Sequence, residues 1–448
     1  MAEAVQKARA AAADYTSKYD DALLCYDIYD EPTPVETGWY GSVAQALRQA
    51  DPYHPITGVN NAHFAPFSGM VDVMSVDAYP ITSDQSTFDV LIQRMTEARR
   101  DFKGPIWYCA QAFPWGGYYG GPFKNNRYPT YDEERSLSYL SFVLGANGIY
   151  YWSRSSCGMP DAEYAYPILW RSVFATAREI ADLRDVLLAK PWPQKVHAGQ
   201  AAVRLMAKQY KGDLYLVAVN TRLTKINADF SVAGLSAARV TVLGEGRRLD
   251  VQGGRFADTF EPKTTHVYTT CAAPPSVPDV TRTRAEIARL EHEREALVCR
   301  DIACVDTGAK VTVSFRPASL AHRSAALRFW DHIADGFPGS YFEVNGGIGQ
   351  HVDIAFARPR TVSEVVVTTS ANLGCEVSLR QGDQWTKIAT VPKLTTGQPF
   401  RPGVSVATAR YTFPPVIAAG VRLSLVKRAG EGELRVYEVE ALDSASAQ

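Results

Sequence analysis

Two adjacent carboxylates, Asp30 and Glu31, close the apolar and aromatic run Leu23-Leu24-Cys25-Tyr26-Asp27-Ile28-Tyr29, and Pro32 follows them. The run has the composition of a strand. Proline cannot donate to a strand ladder, so the strand must stop there and leave the carboxylates at its C-terminal lip. In a parallel α/β barrel that lip carries the catalytic residues. One carboxyl group there can protonate a leaving oxygen while a second attacks or activates water. The best second carboxylate is Asp77, at the end of Val71-Asp72-Val73-Met74-Ser75-Val76-Asp77-Ala78-Tyr79-Pro80, which again reads as a strand ending before proline. The plainer readings are a surface turn for Asp30-Glu31-Pro32 and a structural hydrogen-bond acceptor for Asp77.

Other residues at strand ends could hold a ligand. Asn60 and Asn61, with His63 just beyond, follow the short run His54–Val59 and could offer hydrogen bonds to a cleft. Tyr79, Trp115 and Trp152 offer flat apolar faces suited to a sugar ring, though such residues also fill cores. Asp30 is better placed to orient neighbours or bind a hydroxyl. Gln111 is neutral and cannot act as nucleophile or base; it could bind a hydroxyl or hold a water.

The elements that must position these residues alternate. Residues 3–19 read as a helix, 22–29 as a strand and 38–50 as a helix. Strands at 54–61 and 71–80, a helix at 87–102 and a strand at 105–113 follow. An aromatic, glycine-rich loop occupies 114–121. A helix at 132–145, a strand at 148–153 and a long helix at 163–189 complete the pattern, which is that of parallel β/α units. A dinucleotide-binding fold is excluded, because the one glycine-rich loop is full of Tyr and opens no helix.

From residue 195 the strands lose their helices. Asp213–Asn220, Ala228–Val232, Arg239–Leu243 and Thr264–Thr269 suggest a small antiparallel sandwich. Ala272–Pro278 is a linker, and Thr283–Val298 a charged spacer helix. Many short strands between 300 and 442 indicate a second β-sandwich: Lys310–Phe315, His351–Phe356, Thr361–Thr369, Glu376–Arg380, Thr386–Val391, Ala409–Phe413, Gly420–Val426 and Glu433–Ala441. The expected division is 1–192, 193–271, 272–299 and 300–448.

The 448 residues carry a net charge of −1, with 47 basic and 48 acidic side chains. That balance disfavours nucleic acid or an anionic membrane as partner. No apolar run is long enough to span a membrane. Seven scattered cysteines, with no CxxC, give neither a disulfide framework nor a zinc site. The N-terminus lacks the layout of a signal peptide.

The first part resembles the catalytic barrel of the clan A retaining glycoside hydrolases. Asp30-Glu31-Pro32 resembles that clan's Asn-Glu-Pro after strand 4, Asp77-Ala78-Tyr79-Pro80 the end of strand 6, and Trp152 the strand 8 aromatic. The resemblance implies that Glu31 is the acid/base. Residues 105–113 take the place of strand 7, where the clan carries its nucleophilic Glu and this chain has Gln111. The last 145 or so residues resemble a discoidin-like (coagulation-factor C-type) glycan-binding domain through Gly349–Phe356, Gln384–Ala389, Ala419–Leu423 and Val436–Ala441. That family also implies a structural Ca²⁺ near Ala334-Asp335-Gly336; no other cofactor is implied, and His322, His332 and His351 lack metal-ligand spacing.

The expected fold is therefore a multidomain α/β plus all-β chain: a partial (β/α)8 barrel holding strands 4 to 8, a small antiparallel β-sandwich and a discoidin-like β-sandwich. The barrel would be N-terminally incomplete, lacking three of eight units. The expected function is hydrolysis of glycosidic bonds in a poly- or oligosaccharide or glycoconjugate, with Glu31 and Asp77 as the carboxyl pair. The alternative is a sugar-binding protein that cuts nothing, because Gln111 replaces the nucleophile. A secreted or periplasmic location is expected for the complete form.

Overall fold

The computed structural model describes residues 1–116, 122–123, 126–153, 166–314, 329–337, 339–343, 349–370, 373–390, 406–428 and 435–442. Most of the loop at 114–121, namely 117–121, and Cys157 lie outside them.

Five parallel strands open the chain: β1 (Tyr26–Asp30), β2 (Ile56–Asn60), β3 (Val73–Asp77), β4 (Ile106–Gln111) and β5 (Gly148–Trp152). They lie side by side in sequence order. The helices are α1 (Ala2–Tyr19), α2 (Thr37–Ala50), α3 (Asp89–Asp101), α4 (Tyr131–Val143) and α5 (Pro167–Asp182). The strand expected from residue 22 begins at Tyr26, because residues 20–22 close α1 in a turn. The long helix expected to 189 breaks after Asp182, and a separate short helix covers Arg184–Leu187.

Strand register sorts the side chains onto two faces. Ile56, Met74, Val76, Ile106, Tyr108 and Ala110 pack in one core with Leu47, Leu91, Met95 and Leu140 from the helices. The other face carries Asp27, Thr57, Ser75, Asp77, Cys109, Gln111 and Tyr150; Asp27 pairs with Thr57, and Asp77, Cys109 and Tyr150 lie in one register row. A bulge between Asp27 and Asp30 keeps both carboxylates on that polar face. Close packing fixes Gly58: a Cβ there would lie 2.3 Å from the Tyr29 ring.

The first antiparallel unit holds two sheets. Strands β6 (Lys190–Pro191), β7 (Val196–Ala198), β8 (Val203–Tyr210), β9 (Asp213–Asn220), β10 (Ile226–Val232), β11 (Arg239–Val242), β12 (Arg247–Asp250), β13 (Arg255–Phe260) and β14 (Thr265–Thr269) form it. Their orders are β13-β10-β7 and β12-β11-β14-β9-β8-β6. Helix α4 is caught between this unit and the parallel sheet, which explains its buried polar residues. Arg135, 1% exposed, pairs with Glu179 through two hydrogen bonds of 2.7 and 2.8 Å and also donates to the Thr265 carbonyl. Glu133 accepts from Arg127 and from Lys263. Thr130 and Glu133 complete a capping box at the start of α4.

Helix α6 (Val280–Val298), capped by Asp279, leads to the last unit. Its seven strands are β15 (Lys310–Val313), β16 (Phe342–Glu343), β17 (His351–Ser370), β18 (Leu373–Gln381), β19 (Gln384–Thr390), β20 (Val406–Arg428) and β21 (Arg435–Leu442). All are linked in one antiparallel sheet. The separate runs expected at 351–356 and 361–369 are one strand, as are 409–413 and 420–426. Register shifts near Pro359 and near Pro414-Pro415 bend these strands without ending them. The chain is thus α/β followed by antiparallel β. Among the described residues, no helix is long and apolar enough to cross a membrane.

Candidate functional site

The C-terminal lip of the parallel sheet brings Asp30, Glu31 and Asp77 together. Glu31 leaves β1 with φ 46°, a left-handed conformation unfavourable for a residue with a Cβ. Its N–H donates to the Val59 carbonyl at 2.8 Å, which ties the strained residue to β2. Asp77, at the end of β3, is 2% exposed. Glu31 lies within hydrogen-bonding reach of its carboxyl. Burial, that hydrogen bond and the Glu31 charge push Asp77 up to about 8, against the opposing pull of Arg94. Arg94, on α3, lies 3.9 Å from Asp77 Oδ1 and donates to its backbone carbonyl at 2.8 Å. Asp77 Oδ1 is buried with no hydrogen-bond partner among the described residues. Asp30 is exposed on the same face and is raised by partial burial and by Glu31.

Glu31 and Asp77 are thus neighbouring carboxyls on the lip, and Asp77 is the one whose pKa is raised.

Gln111 is fully buried. Its Nε2 donates to the Ile81 and Phe113 carbonyls at 2.7 and 3.2 Å, and its Oε1 accepts from the Ile81 N–H at 2.9 Å. The amide latches β4 to the segment after β3. Asn60 shares a register row with Val76, on the helix-covered face. It is fully buried, and its amide makes a long 3.5 Å contact with the Ala62 carbonyl. Asn61 is half-buried in the turn that follows.

The aromatic residues divide. Trp152 is 39% exposed beside Gln111 at the sheet lip. Tyr79 and Trp115 pack edge-on against Phe113, each with ring centroids 5.1 Å from it, and Trp115 Nε1 donates to the Tyr79 carbonyl. This trio belongs to the core cluster of the last unit, so its ring faces are largely spent on packing.

The sequence reading missed Asp27 and Arg94. Asp27 sits one layer below Asp30 and is pushed up to about 6 by burial and by the Asp30 charge. The signal was its place between Tyr26 and Ile28, where period-two alternation turns it to the opposite face. Arg94 gave no signal, since only the fold brings α3 over the end of β3. Below the carboxylates, the Tyr150 hydroxyl bonds to Ser75 and Cys109, and Thr57 bonds to Ser75 at 3.0 Å.

The implied Ca²⁺ fits poorly at Asp335. Its carboxylate already accepts from His332, the Phe337 N–H and Ser340. Among the described residues no three His, Cys, Asp or Glu side chains converge as a metal site. The six described cysteines are unpaired.

No family model matches the sequence, and no curated protein matches it. Some solved structures are similar over about a third of the chain. The family 32 carbohydrate-binding module of Streptococcus pneumoniae EndoD is 15% identical, with a TM-score of 0.25, over 32% of this chain and 99% of that one. The family 32 module of C. perfringens NanJ, solved with galactose, is 13% identical, with a TM-score of 0.24, over 32% of this chain and 97% of that one. A Ruminococcus gnavus GH29 fucosidase, solved with fucose, is 13% identical, with a TM-score of 0.25, over 38% of this chain and 31% of that one.

Proposed function

We propose that the chain cleaves glycosidic bonds at the C-terminal lip of its parallel sheet, with the Glu31–Asp77 pair as general acid. The buried Asp77 carboxyl at the end of β3, with Glu31 beside it, carries the reading. A carboxyl that keeps its proton near neutrality can hand it to a leaving oxygen, and its partner stabilises the charge that remains. Asp30 is the carboxylate left on the same lip to activate water. Trp152 offers the open ring face on which a sugar would rest. The test is hydrolysis of a panel of glycosides by wild type and by Glu31→Gln. Cleavage by wild type and its loss in the variant are expected; equal cleavage by both would refute the assignment.

A second reading is favoured by Gln111. Its amide is committed to backbone groups, so strand β4 supplies neither nucleophile nor base. A lip that grips sugars without cutting them would then remain. Bound oligosaccharide recovered intact from wild type would select this reading.

A further inference from the structure

Far from the carboxylate lip in sequence, α5, α6 and the last antiparallel unit meet around a cleft of about 350 Å³. Its walls are apolar: Ile168 from α5, Leu297 and Val298 from α6, and Phe337. At its base lies Glu438 on β21, 5% exposed, with both carboxyl oxygens lacking a hydrogen-bond partner among the described residues. The Gly336 N–H lies near enough to favour the ionised form slightly, but not in good hydrogen-bonding geometry. Asp301 and Glu440 line the same cleft. The Asp301 carboxylate accepts from the Ala303 and Ala441 N–H groups, at 2.9 and 2.8 Å.

A buried carboxyl without a partner is costly, and a cation removes the cost. Among the described residues, the one cationic side chain lining the cleft does not supply it. Arg294 stacks 3.7 Å over the Phe337 ring and donates to the Asp335 carbonyl at 2.8 Å. A bare metal ion suits the site badly, for want of three converging ligands among the described residues. The volume and the aliphatic walls suit a larger cation that has carbon to bury.

We propose that this cleft binds an organic ammonium: a primary amine on an aliphatic body, its head on Glu438 and its chain against Ile168, Leu297 and Val298. Because the walls come from three parts of the chain, the ligand also fastens the last unit to α5 and α6.

The experiment is calorimetric titration of the full chain with pentylamine, with pentanol as the neutral isostere and CaCl₂ as the metal arm. Pentylamine is expected to bind and to raise the melting temperature, whereas pentanol does neither. Glu438→Gln should weaken pentylamine by about tenfold or more, the worth of a hydrogen bond to a charged group. Leu297 is 64% exposed at the rim. Leu297→Trp, which should fold in any case, is expected to block the cleft and weaken pentylamine likewise. No binding of pentylamine to wild type, equal binding by both variants, equal binding of pentanol, or Ca²⁺ as the cation whose binding Glu438→Gln abolishes would each overturn the proposal.

Discussion

Replacing Asp77 by asparagine isolates the proton that the site is built around. The side chain keeps its shape and can no longer ionise, an NH2 donor taking the place of one carboxyl oxygen. Asp77 moves from an ordinary carboxylate value of 3.8 to about 8 in the folded chain. That is about four pH units at about 1.4 kcal/mol per unit, or roughly 5–6 kcal/mol. Part of that shift comes from the neighbouring Glu31 charge, so about half, on the order of 3 kcal/mol, is assigned to Asp77 itself. The sign follows from proton counting. Between these two values the folded chain holds a proton that the unfolded chain has lost. Stability is therefore complete below the lower value and falls as pH rises through the upper one. Urea unfolding of the parallel-sheet unit, followed by intrinsic fluorescence at about pH 5 and about pH 9, reads this directly. Wild type should lose about 2 kcal/mol across that interval, since about three of the four units lie above pH 5, and Asp77→Asn much less. At the alkaline end the variant should be the more stable protein. Equal pH slopes in the two proteins would refute the raised Asp77 proton and, with it, the proposed general acid.

Gln111→Glu should not create a nucleophile: it removes an amide donor facing two carbonyls, and a loss of about 2 kcal/mol or more with no gain in hydrolysis is expected from denaturation and glycoside assays. Tyr29→Phe should be neutral or stabilising within about 1 kcal/mol, because the Tyr29 hydroxyl is buried without a partner. Gly58→Ala should cost about 1–3 kcal/mol, because its Cβ would meet the Tyr29 ring; a melt equal to wild type would disprove that packing. Arg135→Met should cost about 3–5 kcal/mol by leaving Glu179 as a lone buried charge, and Arg135→Met with Glu179→Met should regain most of it in the same melt.

Local pattern was enough to find the five parallel strands. Each is an apolar run of strand length stopped by a polar residue or proline, and the intervening helices carry apolar residues at helical spacing. The same logic put Glu31 and Asp77 at strand ends, because a chain leaving a strand at proline has one place to leave its last side chains. The sequence also marked the switch to antiparallel β, where strand-like runs follow one another without helices. Pattern failed where a strand bends instead of ending. Pro359 and Pro414-Pro415 read as breaks, but bulges carry β17 and β20 past them. It failed again at β8, whose half-buried residues show little alternation.

The tertiary structure decided what spacing cannot encode. The approach of Glu31 to Asp77 depends on the register of β1 to β3, three strands separated by 25 and 12 residues of chain. The commitment of Gln111 depends on where the segment after β3 crosses β4, and the spending of Tyr79 and Trp115 on how the last unit packs against them. The protonation of Asp77 follows from both facts together. A carboxyl becomes an acid at neutral pH when burial removes its water and a second carboxylate lies against it, and both conditions belong to the fold.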